Sequence, residues 1–146
     1  VSMFEINHTL TVKAPTETVW KVISDLDAYG EWNPFVVACD STLEVNSPIK
    51  MQVKLVPFFA FPQKETIFSH DPSHQLSYGI SLPFNALSSV RCHQVKTLAP
   101  GMTEYTSTFE LSGWLSPLVE WMLQPRLKKG FDGMAEGLQL RSESFS

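Results

Sequence analysis

Phe109-Glu-Leu-Ser-Gly113-Trp-Leu-Ser-Pro117 converts a strand-like alternation into a long helix. Beyond it, Leu118, Val119, Met122, Leu123, Leu127, Phe131, Met134 and Leu138 recur every three or four residues, the period of a buried helix face. Ser116-Pro117 suits a helix start, because a serine side chain accepts from orphan backbone donors and proline fits the first turn. Two details divide this helix. The stripe Leu115, Leu118, Val119, Met122 points roughly 120° away from the stripe Leu127, Phe131, Met134, Leu138 on the same wheel. Pro125 lies between them and removes the hydrogen bond to Trp121. The expectation is a short apolar gate, Pro117 to Gln124, set at an angle to a core plug from Arg126 onward. Gly130, Gly133 and Gly137 flank the buried stripe, either for close packing or as room for a ligand, with close packing preferred.

Working back from that helix, the chain reads as short strands separated by turn residues. Phe4 to Val12 alternates, with Phe4, Ile6, His8, Leu10 and Val12 on one face. Ala14-Pro15-Thr16-Glu17 ends the strand and opens a helix, with Thr16 a plausible cap and Val19, Trp20, Val22, Ile23 and Leu26 as its stripe. Tyr29-Gly-Glu-Trp32-Asn-Pro34-Phe35 is an aromatic corner. Strands follow at Val36–Leu43, Ile49–Val56, Gln63–His70, Leu76–Leu82, Leu87–Leu98 and Met102–Gly113. Asn46-Ser47-Pro48 is turn chemistry in which Asn tolerates left-handed backbone. Pro57-Phe-Phe-Ala-Phe-Pro62 reads as a proline-bounded loop carrying three phenylalanines. Consecutive strands with helices set apart from them mean an α+β domain. The expectation is one domain, residues 1–146. Val1-Ser2 ahead of Met3 reads as an addition before a start methionine.

Composition narrows the function. A chain of 146 residues, 43% hydrophobic and 18% charged, is an ordinary globule. With a net charge of −4 and no basic stripe interleaved with aromatics, nucleic acid is not an expected partner. Two cysteines, Cys39 and Cys92, read as reduced thiols. No signal peptide or ~20-residue apolar span is visible, so a cytoplasmic protein without stable membrane insertion is expected. Trp121 beside Arg126, Lys128 and Lys129 still allows transient contact with a membrane surface.

Ala14-Pro15-x-Glu17-x-Val19-Trp20, then Asp25-x-Asp27-x-Tyr29-x-x-Trp32-Asn33-Pro34-Phe35, resembles the opening of the START-like (SRPBCC) superfamily, the polyketide cyclase/dehydrase and lipid-transport group. Phe109-x-x-x-Gly113-x-Leu115 and Gly130-Phe131-x-x-Met134-x-x-x-Leu138 resemble its close. The resemblance covers nearly the whole chain and departs from the usual pattern at Asn46, where glycine is common. It implies a helix-grip fold. In that fold a curved seven-stranded antiparallel sheet wraps the C-terminal helix, two short helices lie between the first and second strands, and a cavity remains. Function stays open, because one fold hosts carriers and enzymes alike.

The cavity candidates come from strand faces. His8 sits between Ile6 and Leu10, either as a base or hydrogen-bond partner in the cavity or as a core histidine satisfied by backbone or a neighbour, with the second preferred. Tyr78 and Ile80 share a face, as do Tyr105 and Phe109. Met51, Phe131 and Met134 complete an apolar lining. The strand Leu87 to Leu98 has two registers. Val90, Cys92 and Leu98 outvote Val95, so Cys92 and Gln94 are expected inside and Arg91 and His93 in water; the opposite register gives a far more chemical pocket. His70-Asp71-x-x-His74 has metal-like spacing but spans a proline turn and reads as a hairpin tip. No phosphate loop, nucleophile elbow or nucleotide fingerprint occurs, so no metal or cofactor is expected. The leading function is carriage or sensing of a small hydrophobic molecule, such as a lipid or polyketide-like compound. The alternative is a cyclase/dehydratase enzyme using His8 with Tyr78 or Tyr105. A module for a protein partner ranks third.

Overall fold

The computed structural model describes residues 3–145; the reading of Val1-Ser2 lies outside them. Strand β1 (Met3–Val12) is followed by helix α1 (Thr16–Ser24), a 3-10 turn (Leu26–Ala28) and helix α2 (Tyr29–Trp32). Then come β2 (Val36–Ser41), β3 (Pro48–Val56), β4 (Phe59–Asp71), β5 (Gln75–Ser81), a 3-10 turn (Pro83–Asn85), β6 (Ser88–Ala99), β7 (Met102–Ser112) and helix α3 (Ser116–Ser144). The seven strands form one antiparallel sheet in the order β1-β7-β6-β5-β4-β3-β2. It curls around α3 as the helix-grip fold.

Helix α3 is one unbroken helix with Pro125 inside it, so the expected break into two segments does not occur. The reason lies in which residues face the core. Val119, Leu123, Leu127, Phe131 and Ala135 follow at intervals of four and carry one face straight past Pro125. Leu118 and Met122, assigned above to a second buried stripe, are exposed. Pro125 is exposed too, so the Trp121 carbonyl that it leaves unbonded lies on the wet side. Nor is Ser116 the cap: the cap position is Leu115, and the Ser116 hydroxyl donates to the Gly113 carbonyl at 2.8 Å. Thr16 likewise begins α1 rather than capping it, and its hydroxyl meets Thr97 and Thr103 instead.

The aromatic corner holds helix and sheet together. Asn33 Oδ1 accepts from the backbone N–H of Phe35 and of Val36, both at 2.9 Å, fixing the turn that swings Phe35 inward. Phe35 meets Phe131 edge-on with centroids 5.0 Å apart. A Cβ at Gly130 would fall 2.3 Å from Phe35, and one at Gly137 would fall 2.4 Å from the Trp32 carbonyl. The glycine flank therefore serves close approach, to the corner rather than to the sheet.

The Pro57–Pro62 loop is shorter than expected. Val56 pairs with Phe59, leaving only Pro57-Phe58 as the turn, and Pro62 lies in β4 opposite Gln52. A strand proline is tolerated there because β4 pairs with β5 only from Thr66 onward, so the missing N–H faces an unpaired edge. Asn46 has φ of 71°, the left-handed geometry expected of it.

Candidate functional site

Between the sheet and α3 lies a cavity of about 200 Å³. Phe35, Met51, Val53, Leu55 and Ile80 line it from the corner and sheet, and Val119, Leu123, Leu127 and Phe131 from the helix. Its polar members are Gln63, Glu65, Tyr78, Ser89 and Arg91.

Arg91 corrects the expected register of β6. Arg91 and His93 are buried, Cys92 is half-buried and Gln94 is exposed, where it donates to Gln75 on the outer face. Cross-strand partners share a face, and β6 pairs Arg91 with both Tyr78 and Phe109, and His93 with both Leu76 and Ser107. Once Tyr78 and Phe109 point inward, Arg91 must follow. The hydropathy vote failed because this strand turns its charge inside and leaves Leu98 half-exposed.

The buried guanidinium is solvated by the protein. It donates to the Ser107 hydroxyl, to the Thr108 carbonyl at 3.4 Å and to Met134 Sδ at 3.3 Å, and its carbon lies 4.7 Å from the Phe131 ring centre. Among the described residues no carboxylate stands within ion-pair distance of it. Glu65 lines the same cavity, and burial raises its carboxyl above the usual range, opposed by the Gln63 hydrogen bond and by Arg91.

Behind the lining runs a polar chain. The Tyr78 hydroxyl lies 3.2 Å from His93 Nε2, and His93 Nδ1 lies 2.6 Å from the Tyr105 hydroxyl. Burial, assisted by Arg91, holds the imidazole well below its ordinary pKa. His93 is therefore neutral, so it donates to one tyrosine and accepts from the other. Burial raises both phenols, keeping them protonated.

The expected site residues divide clearly. Met51, Tyr78, Ile80, Phe109 and Phe131 line the cavity. Tyr105 and Met134 back it, through His93 and Arg91. Cys92 and Gln94 lie on the other face of β6. His8 is outside the lining: its Nε2 sits 2.5 Å from Asp132 Oδ1 on α3, tying β1 to the helix. Its Nε2 thus meets a neighbour, as the second expectation has it, while its Nδ1 is buried without a hydrogen-bond partner among the described residues. His70 stacks on Trp20, and His74 meets the Pro72 carbonyl, so this hairpin uses its imidazoles for packing and turn formation. The polar lining residues missed were Gln63, Glu65 and Ser89; Arg91 lines the cavity in the register set aside above, which a single register across β5, β6 and β7 would have selected.

A groove with a volume of about 800 Å³ adjoins the cavity, sharing Phe35 and Leu55 with it and bordered by Phe58, Arg126 and Lys129.

The family model for polyketide cyclase/dehydrase and lipid transport matches residues 3–139. No curated protein sequence matches significantly. Among solved structures, a START superfamily protein from Mycobacterium smegmatis superposes with a TM-score of 0.77 at 18% identity, over 97% of this chain and 99% of that one. The Zhui aromatase/cyclase from Streptomyces gives 0.75 at 16% identity, over 97% and 94%. Norcoclaurine synthase from Thalictrum gives 0.71 at 18% identity, over 99% and 98%. These likenesses concern the fold.

Proposed function

The chain belongs to the polyketide cyclase/dehydrase and lipid transport family, and we propose that it binds a small, mostly apolar molecule carrying an acidic or carbonyl oxygen at one end. The observation that carries this reading is Arg91, a buried cation on an apolar cavity with no carboxylate within ion-pair distance among the described residues. A buried charge is costly unless matched, and a ligand oxygen supplies the match. The Tyr78 hydroxyl, anchored by His93, supports the same end of the ligand. Size supports a compact ligand: about 200 Å³ lies below the ~300–1,000 Å³ of drug-sized sites. A longer molecule would extend past Phe35 and Leu55 into the adjoining groove. The proposal includes a cytosolic setting, supported by two free thiols, Cys39 and Cys92.

The test is native mass spectrometry and fluorescence displacement with matched pairs, such as naphthalene and its carboxylic acid. The acid should bind more tightly to the wild type, and the preference should vanish in Arg91→Met. Failure of every member to bind would overturn the reading.

A cyclase/dehydratase reading is favoured by one observation, the Tyr78–His93–Tyr105 chain, which links a cavity hydroxyl to a neutral imidazole. Turnover of a poly-β-keto substrate that His93→Gln slows while binding persists would support it; turnover unaffected by that change would remove it.

A further inference from the structure

Around the cavity the protein exposes apolar side chains that its core does not use. Leu118, Trp121, Met122 and Pro125, at positions i, i+3, i+4 and i+7 of one helix face, are all exposed, opposite the stripe Val119, Leu123, Leu127 that lines the cavity. Trp121 is 81% exposed. Just ahead of this helix face stands Trp114, whose indole N–H donates to the Phe84 carbonyl at 3.0 Å. Phe84 is 92% exposed on a left-handed backbone with φ of 61°. That conformation is costly for a bulky residue. It is held by Trp114 and by backbone bonds from Trp114 to Asn85 and from Leu115 to Ala86. Gly113, with φ of 104°, permits this junction: a Cβ there would fall 2.6 Å from the Ala86 carbonyl. The loop thus spends backbone strain to project a phenylalanine into solvent.

Cations follow in the next turn of the helix. Arg126, Lys128 and Lys129 are all exposed, and Phe58 at the β3–β4 turn, 88% exposed, borders the same groove as Arg126 and Lys129. Beyond them on this helix Asp132 and Glu136 border the same groove, and Asp132 Oδ1 lies 2.5 Å from His8 Nε2. From Trp114 to Phe131 the chain carries three cations, Arg126, Lys128 and Lys129, against one acid, Glu120, a local reversal of sign in a chain of net charge −4.

We propose that this face docks on an anionic membrane surface, with Phe84, Trp114, Leu118 and Trp121 in the headgroup boundary and Arg126, Lys128 and Lys129 on lipid phosphates. Aromatic tips backed by cations are the arrangement that binds a charged lipid interface. The cations are complementary to lipid phosphate, whereas an isologous pairing of two copies through this face would set Arg126, Lys128 and Lys129 against the same cations of the second copy. The placement sets against the bilayer the outer face of the helix segment whose inner residues, Val119 and Leu123, line the cavity.

The experiment is vesicle co-sedimentation of the full chain, without added ligand, on phosphatidylcholine and on an equimolar mixture of phosphatidylcholine and phosphatidylglycerol. Binding is expected to the mixture, weakened by salt and absent or far weaker on phosphatidylcholine alone. Phe84→Ser or Trp121→Ser should each weaken it about tenfold, the loss of one buried aromatic side chain. Lys128→Glu with Lys129→Glu should weaken it by at least about fivefold per charge. Circular dichroism should show each variant folded. No binding to the mixture, equal binding to both vesicles, or binding untouched by these changes would overturn the proposal. So would a concentration-dependent dimer that Trp121→Ser dissolves, which would assign the face to self-association.

Discussion

The Arg91 guanidinium stands 4.7 Å from the centre of the Phe131 ring, so a buried cation on the sheet is held by an aromatic face of helix α3. The same two residues line the cavity, which makes this contact both a support and part of the ligand wall.

Replacing Arg91 with Met separates those roles. A buried charge exchanged for an apolar side chain of similar length often leaves stability little changed, because the desolvation cost disappears with the contacts. Arg91→Met should therefore unfold within about 1 kcal/mol of the wild type in urea, consistent with that balance. Its affinity for an acidic ligand should fall about tenfold or more, the worth of a charge-assisted hydrogen bond. Calorimetry measures the second quantity and denaturation the first.

Gly130→Ala should destabilise the protein despite alanine's better helix propensity of ~1 kcal/mol. Its Cβ would fall 2.3 Å from the Phe35 ring. Overpacking of this kind costs about 1–3 kcal/mol. Phe35→Leu in the same chain should recover part of the loss, and a double-mutant cycle reports the coupling.

His93 predicts a pH dependence. Its folded pKa lies well below the ordinary value, so below about 6.5 the unfolded chain takes up a proton that the folded chain refuses. Stability is then fully present above about pH 6.5 and is lost as pH falls toward the folded pKa, with a slope of up to about 1.4 kcal/mol per pH unit. His93→Gln, which retains a donor and an acceptor for the two tyrosines, should flatten this limb in urea unfolding between neutral and mildly acidic pH.

Pro125→Ala should stabilise. The helix runs unbroken through an interior proline, which costs about 3 kcal/mol relative to alanine, less about 1 kcal/mol that proline returns by restricting the unfolded chain. A rise of roughly 1–2 kcal/mol is expected from those two magnitudes, read by chemical denaturation. No change would show that the helix has locally adapted to the ring.

Strand alternation, turn residues and the Trp-Asn-Pro-Phe corner made the architecture legible in the sequence, because each acts over a few residues. The apolar wall was legible for the same reason: Met51, Ile80 and Phe109 sit on alternating faces that local hydropathy identifies. The polar floor was not. Arg91 and His93 lie inward because strands on both sides fix their register, and a single-strand count cannot see that pairing. Helix α3 misled for a related reason. Leu118 and Met122 look like core by composition, and only the competing stripe through Val119 and Leu123 shows that they face out.

The most direct test of the ligand-binding account is an amide and side-chain NMR titration with naphthalene carboxylate. The account predicts saturable shifts at Met51, Tyr78, Ile80, Leu123 and Phe131 and at the Arg91 guanidinium. Shifts confined to the exposed residues Phe84, Trp114 and Trp121, or no shifts at all, would contradict it.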